Sequence, residues 1–303
     1  MSNRSAAVCP LCGDSGLRPS RFGLLLCASC GLIVDPAIFR RGAADERNKT
    51  AFGEGYEAES SIWVHWFDRW KNRRYLSQLH RASARTGKLL EVGIGSGSFL
   101  AQARAGGFEV TGCDLSEAVC NRVENALGIQ IHCGSLESLP KRRWDVVVMN
   151  HVLEHVENPL AFLRAARERL RPGGLLHIAV PNAACWEAIL PGWNSYERYH
   201  VAYFNGQSLD RALRAAGFTP MLRVTHETFS GWLLAILRTL LKPDWRREPS
   251  ASRPVPSSHS SMRRLLEHPY RVAMLFGGLL TWPLRHLQGR LGRGDELIVV
   301  ARA

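Results

Sequence analysis

The middle of the chain alternates short apolar runs with longer stretches in which apolar residues recur at helical spacing. This alternation runs from residue 88 to 182, and a further helical pattern over 206–216 is followed by a strand-like run over 221–225. Strands that alternate with helices form a parallel sheet with right-handed crossovers, so the pattern predicts an α/β domain. The apolar residues 295–301 predict one more strand near the end of the sequence.

Two stretches before the sheet differ from this pattern. Residues 41–60 are rich in glycine, alanine and charge, which is typical of a linker. Residues 61–85 carry Trp63, Trp66, Tyr75 and other apolar side chains at helical spacing, and they predict a helix. We expect this helix to pack against the sheet, although its aromatic side chains could instead line a substrate pocket.

A long insertion separates the last two predicted strands. Residues 229–293 contain two apolar pieces, 229–241 and 272–284, joined by a stretch over 246–261 whose proline, serine and arginine content predicts disorder. Both pieces are shorter than the ~20 apolar residues that span a bilayer. Their arginine flanks favour contact with a membrane interface or a lipid-like substrate. A helical pair packed on the domain as a lid or a dimer surface is the alternative.

Charge narrows the choice of partners. The 303 residues carry 39 Lys and Arg against 27 Asp and Glu, which gives a formal net charge of +12. Such a surplus favours anionic partners. The arginines are spread along the chain, and no basic run is interleaved with aromatic residues, so nucleic acid is the less favoured partner. No secretory signal is visible, and we expect a cytoplasmic protein that can be peripheral to the membrane.

Four of the eight cysteines form two pairs at metal-ligand spacing. Cys9 and Cys12 belong to one C-x-x-C-G turn, and Cys27 and Cys30 belong to another. Two such turns supply four thiolates for tetrahedral zinc, so residues 1–40 are predicted to be a zinc ribbon with a structural site. Redox pairs or buried thiols are the alternative. The other four cysteines are scattered, which suits buried positions in a reducing cytoplasm.

The most informative motif follows the first strand of the predicted sheet. Glu91 ends an apolar run, and glycines then alternate with other residues over 93–97. Glycines let the backbone turn sharply and approach a ligand closely. A dinucleotide fingerprint would need glycine where Ser98 stands, and the carboxylate of Glu91 would repel a pyrophosphate. A cationic ligand fits the motif better, and Asp114 ends the next strand where it could accept hydrogen bonds from a ribose.

The pattern E-x-G-x-G-x-G over 91–97 resembles motif I of the class I S-adenosylmethionine (SAM) methyltransferases. Segments 134–140, 144–159 and 170–182 resemble later segments of the same family in the same order. The resemblance implies a Rossmann-like sheet of seven mostly parallel strands, with an antiparallel last strand beside the fifth. It assigns residues 61–228 and 294–303 to the methyltransferase domain.

The resemblance also implies the cofactor contacts. Glu91 would lie near the methionine moiety, the glycines would let the cofactor pass, and Asp114 would hold the ribose hydroxyls. Ser135 stands where the family commonly has the acid that accepts from the adenine amino group, so Ser135, a backbone carbonyl near Leu136, or Glu137 takes that contact. The implied cofactor set is Glu91, Gly93, Gly95, Gly97, Asp114, Leu115, Ser135, Leu136 and Asn150.

Candidate catalytic residues follow the fourth strand, where strand ends meet the cofactor. If a helix starts at residue 151, His151 and His155 share a face, with Glu154 close to His151. Glu–His pairs here resemble two metal-using branches, the small-RNA ribose methyltransferases and the ubiquinone-pathway O-methyltransferases. The first branch implies a divalent cation at Glu154, His155 and His200, although His151 replaces an acidic ligand of that branch. A metal-free base, His155 or His200, and purely structural histidines are the alternatives.

These features predict a SAM-dependent methyltransferase that acts by in-line displacement. The expected acceptor is an oxygen of a small molecule, such as a glycan, lipid or secondary-metabolite intermediate. Residues 193–200 border the acceptor site in related enzymes, and their side chains suit a sugar or ring-bearing acceptor or else pack as a lid. An RNA methyltransferase that holds RNA with the zinc ribbon, and a non-catalytic SAM-binding scaffold, are the rival functions. The intact motif at Glu91 and Asp114 argues against a scaffold.

Overall fold

The protein folds around one large sheet and one small sheet. The computed structural model describes residues 7–39, 62–197, 199–227, 231–241 and 276–303, and within it the side chains of 62–67 are not described. The predicted linker 41–60, the predicted disordered stretch 246–261, Arg198, and the side chains of Trp63 and Trp66 therefore lie outside the described residues.

The strands are β1 (Leu17–Pro19), β2 (Leu25–Cys27), β3 (Ile33–Val34), β4 (Gly87–Val92), β5 (Phe108–Asp114), β6 (Ile131–Cys133), β7 (Trp144–Asn150), β8 (Leu170–Pro181), β9 (Ala202–Tyr203), β10 (Thr219–His226) and β11 (Glu296–Arg302). The longer helices are α1 (Ile62–Arg81), α2 (Ser98–Ala105), α3 (Glu117–Leu127), α4 (Pro159–Arg169), α5 (Gly206–Ala215), α6 (Gly231–Leu241) and α7 (Trp282–Arg290).

The large sheet has the strand order β10-β11-β8-β7-β4-β5-β6. Neighbouring strands are parallel except at β11, which runs antiparallel between β10 and β8. This arrangement confirms the predicted seven-stranded Rossmann-like sheet and its antiparallel last strand. The carboxyl ends of β4, β5, β7 and β8 consequently share one edge, where ligands bind in sheets of this kind.

Apolar side chains cover both faces of this sheet, which explains why its strands read as continuous apolar runs. On one face Val147, Leu176 and Val299 are buried with helices α4 and α5. On the other face Leu89 and Val148 are buried with α1, α2 and α3. The sheet is therefore a rigid support for the loops at its carboxyl edge.

Local capping fixes where several helices begin. The Ser116 hydroxyl accepts from the Val119 amide at the start of α3, and the Asn158 side chain accepts from the Ala161 amide at the start of α4. These bonds satisfy amides that have no partner within the helix. Asn158 is followed by proline at the first helical position, where the missing N–H has no cost.

The four-cysteine segment forms a small sheet that a distant part of the chain completes. Its strand order is β1-β2-β3-β9, so the fourth strand comes from residues just after His200. The Asp35 amide donates to the Val201 carbonyl at 2.9 Å, and the Asn205 side-chain amide donates to the Gly31 carbonyl at 3.0 Å. The cysteine module is thus joined directly to the segment that carries His200.

The described parts of the insertion form two helices, α6 and a helical stretch over 276–290 that contains α7. They pack together, because the Trp232 indole donates to the Gln288 side chain at 2.8 Å. The Thr225 hydroxyl on β10 donates to the Gly289 carbonyl, which ties the pair to the sheet. A search of the described residues finds no helix that is long and apolar enough to cross a membrane.

Candidate active site

The glycine turn between β4 and α2 lies at the carboxyl edge of the sheet. Gly93, Gly95 and Gly97 all adopt the left-handed conformation, with φ of +73°, +49° and +74°. A Cβ at Gly93 would lie 2.5 Å from Val152, whereas a Cβ at Gly95 would meet nothing within 4 Å. Side chains would therefore strain the turn at all three positions. The space beside the Gly95 Cα is open to a ligand, while its carbonyl accepts from the Arg122 guanidinium at 3.1 Å.

Glu91 is buried beneath this turn without a positive partner in contact. Its side chain is 3% exposed, Asn150 hydrogen-bonds its carboxyl group, and its Oε2 atom has no hydrogen-bond partner. Burial raises the pKa of Glu91 well above its usual range. The Oδ1 atom of Asn150 is also buried without a partner. Unpaired buried polar atoms of this kind are costly, and a cationic ligand that reached them would remove the cost.

Asp114 ends β5 beside the same turn. One carboxylate oxygen accepts from the Ile94 amide at 3.0 Å, and the other accepts from the Ser116 amide at 2.9 Å. Burial raises the pKa of Asp114 despite these hydrogen bonds. Each oxygen keeps a further lone pair, so the fixed carboxylate can accept from a diol. Leu115 follows it with a side chain 69% exposed, an apolar surface next to that carboxylate.

The residues predicted to contact adenine differ in their solvent exposure and in the hydrogen bonds they already make. Ser135 is exposed, whereas the Leu136 side chain is buried in the core. The Leu136 carbonyl accepts from Nε of Arg169 at 3.0 Å, and the Glu137 carbonyl accepts from the same guanidinium group. Arg169 therefore occupies the backbone carbonyls at this point, and the Ser135 hydroxyl and the exposed Glu137 carboxylate are the more open acceptors.

The residues after β7 form a turn rather than the helix start that the sequence suggested. A short 3-10 turn covers Leu153–His155, and His151 adopts φ of +57°, a strained conformation for histidine. The turn still places the His151 ring 3.2 Å from Glu154. The acidic and histidine side chains meet here through a tight turn rather than along one helical face.

His151 lies between the buried carboxylate of Glu154 and the partly buried carboxylate of Glu296. Its Nδ1 is 3.2 Å from Oε1 of Glu154, and its Nε2 is 3.0 Å from Oε1 of Glu296 at the start of β11. Burial alone would lower the pKa of His151, but these hydrogen bonds outweigh it and raise the pKa to about 9. The Tyr75 hydroxyl on α1 donates to the same Glu296 carboxylate. Helix α1 is thus tied to the site through Glu296.

His155 and His200 complete the cluster as neutral rings. Nδ1 of His155 lies 3.2 Å from the Tyr199 carbonyl, and Nδ1 of His200 lies 2.7 Å from the Ser195 carbonyl. Because a carbonyl only accepts, both Nδ1 atoms carry the proton, and each Nε2 atom is left with a lone pair. Burial lowers the pKa of His155 to about 4 and also lowers the pKa of His200.

These two histidines face Glu154. One ligand atom from each of Glu154, His155 and His200 lies within 4.8 Å of the others, and the Glu154 carboxylate is 1% exposed with an unpartnered Oε2. Three acceptor groups that face one another favour a proton or a cation between them. Carbonyl groups that hold the outer nitrogens of histidine are also the usual support of a metal ligand.

Other aromatic residues of the predicted acceptor segment serve packing. Trp193 and Tyr196 are each 3% exposed, with their rings 4.9 Å apart at a right-angled contact, and the Tyr196 hydroxyl donates to the Ala188 carbonyl. Tyr75 on α1 is likewise buried, and only Trp70 of the described α1 aromatic side chains is exposed. The packing alternative therefore accounts for Trp193, Tyr196 and Tyr75.

The four cysteines of the small sheet converge as a second cluster. The Sγ atoms of Cys9 and Cys30 are 3.6 Å apart, those of Cys12 and Cys27 are 3.5 Å apart, and all four lie within 4.8 Å of one another. A tetrahedral zinc with Zn–S bonds of ~2.3 Å requires sulfur atoms ~3.8 Å apart. The four thiolates therefore have the chemistry and spacing to hold one zinc ion.

Sequence reasoning missed two partners in the histidine cluster, Glu296 and Tyr75. Glu296 gave a faint signal, because it is a charged residue at the start of an otherwise apolar strand. Tyr75 gave none beyond its helical spacing. The remaining predicted residues do assemble at the carboxyl edge in two groups, one around Glu91 and Asp114 and one around Glu154.

Comparison with known proteins agrees with this arrangement. A family model described as "Methyltransferase domain" matches residues 67–222, more than half of the chain. The ubiquinone biosynthesis O-methyltransferase of Parvibaculum lavamentivorans is 34% identical over 102 residues, which cover 31% of this chain and 40% of that protein. The same-named protein of Cereibacter sphaeroides strain KD131 is 36% identical over 96 residues, which cover 29% and 39%. The chain thus matches about two fifths of the length of these relatives.

A solved structure supports the fold independently. The provisionally named sarcosine dimethylglycine methyltransferase of Galdieria sulphuraria superposes with a TM-score of 0.50 at 16% identity, covering 77% of this chain and 85% of that chain. At this identity the likeness concerns the fold alone. With the glycine turn, the two acidic positions and the family match taken together, the chain belongs to the methyltransferase-domain family.

Proposed function

We propose that the protein is a SAM-dependent methyltransferase, and the observation that carries this proposal is the buried Glu91 carboxyl group, whose Oε2 atom has no hydrogen-bond partner, beneath the glycine turn. A cationic donor matches that carboxylate, while a pyrophosphate would be repelled by it. Three features of this site fit SAM: the unpartnered oxygens of Glu91 and Asn150, the open space at Gly95, and the fixed Asp114 carboxylate. Ser135 or Glu137 is the proposed adenine acceptor.

SAM, when bound, supplies a methyl group on an activated sulfonium. The chain's own residues then have to hold the cofactor, orient a nucleophile and accept its proton. We assign cofactor holding to Glu91, Asp114 and the glycine turn. We assign proton acceptance to the cluster after β7, where burial keeps His155 and His200 neutral, so that each has a lone pair at neutral pH.

Two roles for the second cluster are open to direct test. In one, His155 or His200 is the general base, and Glu154 and His151 orient it. In the other, Glu154, His155 and His200 hold a divalent cation that lowers the pKa of an acceptor hydroxyl. The unpartnered Oε2 of Glu154 supports the second role. Activity that survives exhaustive chelation would select the base, and activity restored only by added metal would select the cation.

The proposed acceptor is an oxygen of a small molecule. The curated relatives are named ubiquinone biosynthesis O-methyltransferases, which supports a low-molecular-weight acceptor, such as a glycan, lipid or secondary-metabolite intermediate. The rival RNA methyltransferase would use the cysteine module to hold RNA. Label from methyl-tritiated SAM distinguishes them, because it should pass to a low-mass fraction of a cell extract and be insensitive to ribonuclease.

We also propose that the four-cysteine cluster holds structural zinc. The site offers four sulfur ligands and leaves no position for a substrate, so its role would be to stabilise the small sheet. We propose a reducing, cytoplasmic location, in which zinc-binding cysteines stay reduced.

Calorimetry with SAM tests the proposed cofactor directly. We expect a micromolar or tighter complex, and we expect Asp114→Ala to weaken it by ~1–3 kcal/mol, the range for a lost hydrogen bond in a polar contact. Asp114→Asn keeps one oxygen that can accept from the backbone amides of the turn. It therefore separates the loss of the ribose contact from a loosening of the turn. Asp210→Ala on α5 is the matched control. Equal SAM affinity in all four proteins would refute the assignment of Asp114.

A further inference from the structure

The helical stretch over 276–290 turns two polar side chains, Arg285 and Gln288, toward the protein. Arg285 is 4% exposed and Gln288 is fully buried. The Gln288 side-chain amide donates to Glu187 at 2.7 Å, and its oxygen accepts from the Trp232 indole. The carboxylates of Glu187, Glu227 and Asp295 lie near Arg285. They raise its pKa, whereas its burial lowers it. These buried polar contacts fix which side of the helix faces the protein.

The surface of the same stretch that lies outside these contacts presents apolar side chains to solvent. Their spacing of three or four residues places them on one face of the helix. The exposed fractions range from 48% at Leu284 to 84% at Leu280. The members of this apolar stripe are Phe276, Leu280, Leu284, Leu287 and Leu291.

Helix α6 and neighbouring residues extend the stripe. Leu240 and Leu241 are 74% and 75% exposed at the end of α6, and Trp282 is 59% exposed beside the stripe. The His286 ring stacks on Trp282 with centroids 5.6 Å apart. Within the described residues nothing covers these side chains. Apolar side chains that are exposed singly are common on protein surfaces. Several that adjoin one another on a pair of packed helices indicate a binding surface.

The charge around the stripe selects the partner. Residues 231–241 and 276–294 contain no Asp or Glu, and besides the buried Arg285 they carry Arg238, Arg290 and Arg293. The first acid after them is Asp295. Helices with an apolar face, an arginine border and an interfacial tryptophan are suited to the surface of an anionic bilayer. Neither helix is long enough to cross one, so they would lie in the interface.

We propose that the stripe and the end of α6 dock the protein onto anionic phospholipid membranes. The leucines would enter the boundary between headgroups and acyl chains, and the arginines would contact phosphate groups. The buried Gln288 and Arg285 contacts would hold the helix in the outward-facing orientation that docking requires. This proposal concerns attachment alone and does not depend on methyl transfer.

Sedimentation with lipid vesicles tests the proposal on the full chain. We expect the protein to pellet with vesicles of equal phosphatidylcholine and phosphatidylglycerol, and to bind vesicles of phosphatidylcholine alone much more weakly. Leu280→Ser combined with Leu284→Ser should weaken binding about tenfold, because two apolar side chains lose their burial in lipid. Arg290→Gln should weaken binding to the anionic vesicles only and reduce its dependence on salt.

Met221→Ser is the matched control, because Met221 is 45% exposed on β10, outside the helical pair. It should bind vesicles like the wild type. Wild-type protein that fails to bind anionic vesicles would overturn the proposal, whether the stripe is covered by residues 242–275 or by a second copy of the chain. A second outcome would also contradict the proposal. If the wild type is a dimer, and the leucine variant is a monomer that binds vesicles as well as the wild type does, the stripe is a self-association surface.

Discussion

Asn205 joins the two sheets and offers a sharp test of how the cysteine module is coupled to the site. Its side-chain oxygen accepts from the Ser208 amide at 2.9 Å and caps α5, while its side-chain amide donates to the Gly31 carbonyl in the second cysteine turn. Asn205→Ala removes both contacts. Asn205→Asp keeps the cap, because aspartate is an equally good helix cap, but it cannot donate to Gly31.

The expected losses of stability follow from these two contacts. A missing N-cap costs ~1 kcal/mol, and a missing intramolecular hydrogen bond costs a further ~1 kcal/mol. Asn205→Ala should therefore lower the free energy of unfolding by ~2 kcal/mol and Asn205→Asp by ~1 kcal/mol. Local opening of the cysteine module should rise by about fivefold in both variants alike, because both lose the same bond to Gly31.

Two assays separate the contributions. Urea unfolding measures overall stability, and the rate at which Ellman's reagent labels the module's cysteines measures local opening. We expect Asn205→Ala to lose more stability than Asn205→Asp. We expect the cysteines of both variants to be labelled at the same rate, faster than in the wild type. Wild-type labelling rates in Asn205→Asp would show that the bond to Gly31 does not hold the module in place, and this would refute the reasoning.

Three further outcomes are expected. Metal analysis should give a single zinc per chain, and Cys27→Ser should release it; an equal zinc content in the variant would contradict the four-thiolate site. Burial raises the pKa of Glu227 to about 11, so the folded chain keeps a proton that the unfolded chain loses above pH 4.5, and stability should fall as pH rises through this window. Glu227→Gln should make stability less dependent on pH in this range and raise Tm at mildly alkaline pH. An unchanged dependence of stability on pH would contradict this prediction. Burial raises the pKa of Glu91, so SAM binding should release a proton and tighten with rising pH, which calorimetry in buffers of different ionisation enthalpy detects.

Much of the sheet could be predicted from the sequence because its signals are local. Strands buried on both faces are continuous apolar runs, and left-handed glycines mark the turn after β4. Two C-x-x-C-G turns predict a cluster because the ligand spacing is set within each turn. The place of the antiparallel last strand beside the fifth followed from the family resemblance rather than from periodicity.

The contacts that the sequence did not predict are long-range. Glu296 meets His151 at a sequence separation of 145, and β9 adds to a sheet that begins near residue 17. No local pattern indicates such pairings. Helix α7 is a sharper case, because its apolar spacing left open whether the leucines pack on the domain or face outward, whereas buried Gln288 and Arg285 turn them outward. No periodicity in the sequence indicates these polar contacts.

The central claim is that Glu91 recognises the charged methionine part of SAM. Calorimetry of SAM and of methylthioadenosine, which lacks that part, tests the claim in wild type and in Glu91→Gln. Glu91→Gln should weaken SAM by ~1.5–3 kcal/mol, the range for a hydrogen bond to a charged group, and leave methylthioadenosine unchanged. Equal losses for both ligands, or wild-type protein that binds a nicotinamide dinucleotide in preference to SAM, would contradict it.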